Sequence, residues 1–204
     1  LLPQQQADVL LAERRFFVQQ PTADDPRSGV LFTNGTGTGK TFTGLGIIKR
    51  FEMMGKGRIL IVVPSQQKVT DWKNEGQRVM VKATPLKDTN DIGENVVVTT
   101  YANMRDNWRL QSEPWDLVVY DESHNLSSNA QGTEGANIAA HELTTNKPGW
   151  NQQRKWIQAE LGPRPSREDE KAVTRYENEA EQASKRIQYR ADTAPDTKVV
   201  FLSA

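Results

Sequence analysis

Five short apolar runs, at residues 29–33, 58–63, 95–99, 116–120 and 198–202, recur along this chain. A strand that is apolar at nearly every position has no face to offer water, so both of its sides must be covered. Between and before these runs lie stretches with helical spacing. Residues 41–54 place Leu45, Ile48, Phe51 and Glu52 at helical intervals, residues 66–77 form a second expected helix, and residues 7–20, with Val9, Leu10, Phe16 and Phe17, a third. Residues 21–28 carry turn chemistry. Buried strands alternating with amphipathic helices define an α/β domain, with a mostly parallel central sheet and helices on both faces.

The 204 residues suffice for one well-buried domain and fall short of two full-sized ones. Lys plus Arg (26) balances Asp plus Glu (26), so a nucleic-acid contact must come from a local surface rather than from a whole-chain field. The absence of cysteine excludes disulfides, thiolate metal sites and cysteine nucleophiles, and two histidines leave little for zinc. The longest apolar run, residues 59–63, ends at Pro64, far below the roughly 20 residues of a membrane helix. No membrane partner is expected, and an intracellular location is. The chain begins at Leu1 and stops at Ala204 directly after an apolar run, so we expect it to be part of a longer polypeptide.

Residues 127–197 break the rhythm with Gln, Asn, Glu, Arg and Lys and are expected to form a polar, largely helical insertion within the domain. Ser166 followed by Asp169 resembles a capping box, and Val173, Tyr176, Ala180, Ala183 and Ile187 repeat at three- and four-residue steps. That single apolar stripe suits a solvated helix laid against its own domain or a neighbouring helix, with a partner-binding helix as the alternative.

Two segments carry chemistry. In Thr33-Asn-Gly-Thr-Gly-Thr-Gly-Lys-Thr41, between an expected strand and an expected helix, Gly35, Gly37 and Gly39 let backbone amides crowd around phosphate, with Thr36 and Thr38 between them. Lys40 would reach the β and γ phosphates, and the Thr41 hydroxyl would meet Mg²⁺. Asn34 stands where the phosphate-loop pattern has its first glycine. The second segment, Trp115-Asp-Leu-Val-Val-Tyr-Asp-Glu-Ser-His124, ends an apolar strand in two adjacent carboxylates. In a nucleotide site Asp121 would bind Mg²⁺, and Glu122 would orient and deprotonate the water that attacks the γ phosphate.

Asp121-Glu-Ser-His124 resembles motif II of superfamily 2 DExH helicases and translocases. Ile59-Leu-Ile-Val-Val-Pro-Ser65 with Trp72 is similar to motif Ia, Val96-Val-Val-Thr-Thr-Tyr101 to motif Ib, and Val199-Val-Phe-Leu-Ser-Ala204 to the start of motif III. Leu2-Pro3-Gln4-Gln5 resembles the glutamine element that recognises adenine. The overall pattern looks closest to the Swi2/Snf2-like and restriction-enzyme translocase branches, and the glycine-rich loop also resembles that of strawberry-notch-like helicases. The resemblance implies a RecA-like P-loop NTPase domain that uses ATP and Mg²⁺, with the insertion between motifs II and III. Gln5 then recognises adenine, His124 couples the nucleotide to motif III through Ser203, and Pro64, Ser65, Gln66, Thr99, Thr100 and Tyr101 contact a nucleic-acid backbone. DNA is expected over RNA. A C-terminal RecA-like domain would complete hydrolysis, and the 127–197 insertion is available to a protein partner. The competing classes are a P-loop ATPase of another branch, such as an AAA-type machine, and a non-catalytic nucleic-acid-binding scaffold.

Overall fold

The structure, a computed structural model, describes residues 1–25, 27–33, 39–107, 109–110, 113–126, 150–193 and 196–203. The strands are β1 (Gly29–Phe32), β2 (Ile59–Val63), β3 (Ala83–Pro85), β4 (Val96–Thr100), β5 (Leu117–Tyr120) and β6 (Lys198–Leu202). The helices are α1 (Pro3–Glu13), α2 (Lys40–Met53), α3 (Gln66–Arg78), α4 (Tyr101–Asp106), α5 (Trp150–Leu161) and α6 (Glu170–Thr193). The strands form one sheet in the order β1-β6-β5-β2-β4-β3, and every neighbouring pair is parallel.

In-register pairing of β2 with both β4 and β5 explains the continuous apolar runs. All five residues of β2 and of β4 and all four of β5 are buried. On one face, Val9, Leu45, Ile48, Phe51, Val69 and Trp72 of α1, α2 and α3 cover Ile59, Ile61, Val98, Val119 and Val200. On the other, Met104, Leu110 and Trp115 cover Leu60, Val62, Val97, Val118 and Tyr120. The α/β arrangement expected from the run-and-helix alternation, and RecA-like by the resemblance, is the one observed.

The first helix departs from expectation. It starts at Pro3, a residue suited to a first turn, and ends at Glu13, where one turn of π-helix (Arg14–Val18) takes over. The wider turn shifts the phase of the chain, so Phe16 and Phe17 both meet Phe51 edge-on, at 6.0 and 5.0 Å between ring centroids. Leu10, grouped with these apolar residues, is 54% exposed, because its neighbour Val9 takes the buried face of α1.

Of residues 127–197, the stretch expected as an insertion, 127–149, 194 and 195 lie outside the described residues, and α5 and α6 are two helices packed on each other. The expected stripe is real where it is described, with Val173, Tyr176 and Ala180 partly buried and Ala183 buried. The expected Ser166 cap is not the one used. Asp169 Oδ1 accepts from Ala172 N at 2.9 Å at the start of α6, and the Ser166 hydroxyl takes only the Glu168 amide at 3.4 Å. A carboxylate next to a helix N-terminus gains from the positive end of the dipole, which a hydroxyl does not. Among the described residues no helix is long and apolar enough to cross a membrane.

Candidate nucleotide and nucleic-acid site

Because every strand runs the same way, the residues that follow β1, β5, β2 and β4 all emerge along one edge of the sheet. From β2 the chain proceeds to β3 and β4 on one side, and β5 then lands on the other side of β2. Such a switch point opens a crevice at the carboxyl ends of the strands. Asp121 and Glu122 follow β5, and Lys40 begins the helix that leaves β1, with β6 alone between those two strands. Two strand spacings separate β1 from β5, about 10 Å.

Residues 34–38, which include the candidates Gly35, Thr36, Gly37 and Thr38, lie outside the described residues. The cradle becomes visible at Gly39, which is left-handed at φ 73° and opens α2. Gly39 makes no side-chain cap for this 14-residue helix, its carbonyl accepts from Phe42 N at 2.9 Å, and the positive end of the helix dipole stands at this terminus. Lys40 and Thr41 are the first two helical residues, both partly buried.

Gln5 is buried and separates from its neighbours in role. Its oxygen accepts from Leu2 N at 2.9 Å and its amide nitrogen lies 3.4 Å from the Gly39 carbonyl. Gln4 turns instead to Asp8, and Gln6 to the Leu1 carbonyl. A methyl group at Gly39 would collide with the Gln5 amide nitrogen and would also strain the left-handed backbone. Gly39→Ala is therefore expected to cost about 1–2 kcal/mol in stability from the backbone alone and to weaken ATP binding. Adding Gln5→Ala should recover only the part due to the collision, a non-additivity measurable by urea denaturation of the three variants.

Asp121 is 3% exposed and held by two donors. Trp72 Nε1 reaches Oδ2 at 2.9 Å, and the Glu122 amide reaches Oδ1 at 3.0 Å. Burial pushes the carboxyl pKa up, opposed by the indole donor, by the positive charge of Lys68 and by the Glu122 amide, while the Glu122 charge adds to the rise. A divalent cation in front of such a group would oppose that rise and favour the ionised form. Trp72 also reaches α2, since a methyl group at Gly44 would stand 2.6 Å from its ring edge. Lys40's helix, Trp72 and Asp121 thus form one packed unit.

Glu122 takes φ 50°, unusual for a residue with a side chain, at a cost of about 1–3 kcal/mol. The surroundings fix this turn. Tyr101 Oη donates to the Asp121 carbonyl at 2.7 Å, and both Asn125 N and Nδ2 donate to the Glu122 carbonyl, at 3.0 and 2.8 Å. The Glu122 carboxylate is partly exposed and lies 3.4 Å from Nδ1 of His124, itself 60% exposed. Ser203 donates its amide to the Phe32 carbonyl at 3.0 Å, tying the end of β6 to the end of β1 just before the glycine-rich loop.

The expected nucleic-acid contacts divide. Pro64, Ser65 and Gln66 are exposed at the carboxyl end of β2, with Ser65 Oγ also accepting from Lys68 N at 3.3 Å as the cap of α3. The other three are less open. Strand alternation puts Thr99 on the same face as Val97, where it is 2% exposed and its hydroxyl cannot reach a backbone phosphate. The Thr100 hydroxyl caps α4 by accepting from Asn103 N at 3.2 Å, and the Tyr101 hydroxyl is committed to Asp121. The roles of Trp72, Tyr101 and Asn125 around motif II were not foreseen. Spacing marks Trp72 as facing the sheet with Val69, but not which acceptor its N–H meets.

Comparison with known proteins agrees with this geometry. Residues 3–150 match the family described as the type III restriction enzyme, res subunit. A putative DNA 3'-5' helicase Rad25 from Haloarcula marismortui is 34% identical over 113 residues, covering 50% of this chain and 17% of the relative. The chain thus spans about a sixth of that relative's length. The Sulfolobus solfataricus SWI2/SNF2 ATPase core, solved in complex with dsDNA, superposes with a TM-score of 0.54 at 16% identity, covering 67% of this chain and 29% of that one, a likeness of fold. With the family match spanning most of the chain and the lysine-headed helix and acidic turn on one sheet edge, this protein belongs to the type III restriction enzyme res-subunit family.

Proposed function

We propose that this chain is the ATP-binding half of an ATP-dependent DNA helicase or translocase. The observation that carries the reading is the convergence of the start of α2 with the Asp121-Glu122 turn on one sheet edge, bridged by Trp72. Lys40 and the amides at the start of α2 would hold the β and γ phosphates, with Gln5 on the adenine side. Thr41 and Asp121 would hold Mg²⁺, which when bound supplies charge neutralisation across the phosphates. Glu122 would orient the attacking water and take its proton, with His124 beside it and linked toward Ser203 and motif III. The donors on both oxygens of Asp121 and the positive end of the α2 dipole suit these residues to a metal-bound triphosphate.

Pro64, Ser65 and Gln66 would touch the nucleic-acid backbone, which fixes orientation without reading bases. DNA is proposed over RNA, in line with the DNA helicase relative and the fold neighbour solved on dsDNA. Residues 127–197 are proposed as an insertion within this domain. Arginines from a second RecA-like domain would stabilise the charge developing in hydrolysis, an effect of about 10³ to 10⁵ in rate. Residues 1–204 alone should therefore bind ATP·Mg²⁺ and turn over slowly, while a longer polypeptide that includes such a domain should respond to duplex DNA more than to single-stranded DNA or RNA. Steady-state ATPase assays with the three nucleic acids test this. Vigorous DNA-stimulated turnover by residues 1–204, or a longer polypeptide indifferent to DNA, would overturn it.

A further inference from the structure

Two hydrogen bonds, one buried and one partly buried, join Asp121 to helices that begin elsewhere on the functional edge. Trp72 belongs to α3, which starts directly after the exposed residues Pro64 and Ser65, and its indole N–H holds the Asp121 carboxylate. Tyr101 is the first residue of α4, which starts directly after β4, and its hydroxyl holds the Asp121 carbonyl. Neither side chain can drift independently of its helix. Trp72 is fully buried against Gly44 of α2, and the Tyr101 ring stacks on Tyr120 at 6.1 Å, which in turn stacks on Phe201 at 5.5 Å.

We infer that Trp72 and Tyr101 are positioning residues for ATP hydrolysis, through which a nucleic acid pressing on residues 64–66 and the start of α4 reorients Asp121 and the Glu122 turn. The inference rests on the proposed motor function and specifies how its track regulates its nucleotide site. A buried carboxylate points where its donors hold it. Removing the indole N–H frees one of the two anchored oxygens, and a metal ligand whose orienting partner is lost binds its metal more weakly. The Tyr101 bond acts one atom group further along, at the carbonyl where the chain enters the left-handed turn of Glu122. Motion of α3 is thus transmitted to the metal ligand, and motion of α4 to the residue that handles the attacking water.

The test uses Trp72→Phe, which keeps a buried ring, and Tyr101→Phe, which keeps the stack on Tyr120. Calorimetric ADP binding with and without Mg²⁺ should show Trp72→Phe losing about tenfold of the Mg²⁺-dependent affinity. Its Mg²⁺-free affinity should stay at the wild-type value, whereas damage to the fold would lower both. In the longer polypeptide, Tyr101→Phe should lower kcat in the presence of duplex DNA by about tenfold without raising KM for ATP. In ¹⁵N spectra of the 204-residue chain, the Trp72 indole N–H resonance, identified by its loss in Trp72→Phe, should shift on adding a short DNA duplex without nucleotide. A resonance unmoved by saturating duplex, wild-type Mg²⁺ dependence in Trp72→Phe, or wild-type kcat in Tyr101→Phe would overturn the inference while leaving the motor function standing. A wild-type chain that binds neither Mg²⁺·ADP nor duplex DNA would remove both.

Discussion

Lys40→Ala should leave the chain folded and poorly able to hold ATP, whereas Glu122→Gln should leave it ATP-bound and inert. Lys40 is the first residue of α2 and only partly buried, so truncating it removes a point charge at the phosphates without opening a cavity in the core. Loss of a hydrogen bond to a charged group is worth about 1.5–3 kcal/mol, or roughly ten- to a hundredfold in Kd. Glu122→Gln keeps the size of the side chain and the backbone turn, because Tyr101 and Asn125 hold that turn through main-chain carbonyls. It removes the negative charge and with it the ability to accept a proton, which general-base catalysis values at about 10² to 10⁴ in rate. Equilibrium binding of a fluorescent ATP analogue, beside turnover in the longer polypeptide, separates the two. Equal loss of binding in both variants would mean that Glu122 holds the nucleotide rather than the water. Full binding by Lys40→Ala would remove the lysine from the phosphates altogether.

What could be seen in the sequence follows from how local each feature is. The apolar runs were legible because β2, β4 and β5 are covered on both faces, and their boundaries moved by one residue or so. The acidic pair was legible because a carboxylate at the end of an apolar strand needs a reason to be there. Alternation along β4 already places Thr99 with Val97, but the motif Ib likeness drew it into the contact set. The bonds from Trp72 and Tyr101 to Asp121 join residues 49 and 20 positions apart and depend on how α3 and α4 seat on the sheet, which no spacing rule carries. The π-turn after Glu13 was hidden for a similar reason. It follows from where Phe51 receives two aromatic rings rather than from any preference within Arg14–Val18.

The opposite end of the sheet should answer to stability and not to nucleotide. Trp115 is fully buried just before β5, its indole N–H donates to the Leu110 carbonyl at 2.7 Å, and its own carbonyl accepts from the buried Thr197 hydroxyl at 2.7 Å. The Arg58 guanidinium lies 4.5 Å from the ring centroid and also bonds the carbonyls of Ile92 and Glu94 and the carboxylate of Glu113. Arg58, Trp115 and Thr197 therefore tie the amino ends of β2, β5 and β6 together, the last through the Trp115 main-chain carbonyl. Trp115→Ala is expected to cost about 3–5 kcal/mol, a large share of the roughly 5–15 kcal/mol that holds an ordinary domain. Trp115→Phe, which keeps a ring under Arg58 and orphans the Leu110 carbonyl, should cost about 1–3 kcal/mol. Urea midpoints measure both. The four residues of β5 set Trp115 more than about 13 Å from Asp121, so the folded fraction of either variant should bind Mg²⁺·ADP with wild-type affinity. A Trp115→Ala chain as stable as wild type would show that this end is held by something other than the tryptophan, and a drop in affinity at full folding would show that the sheet carries strain from one end to the other.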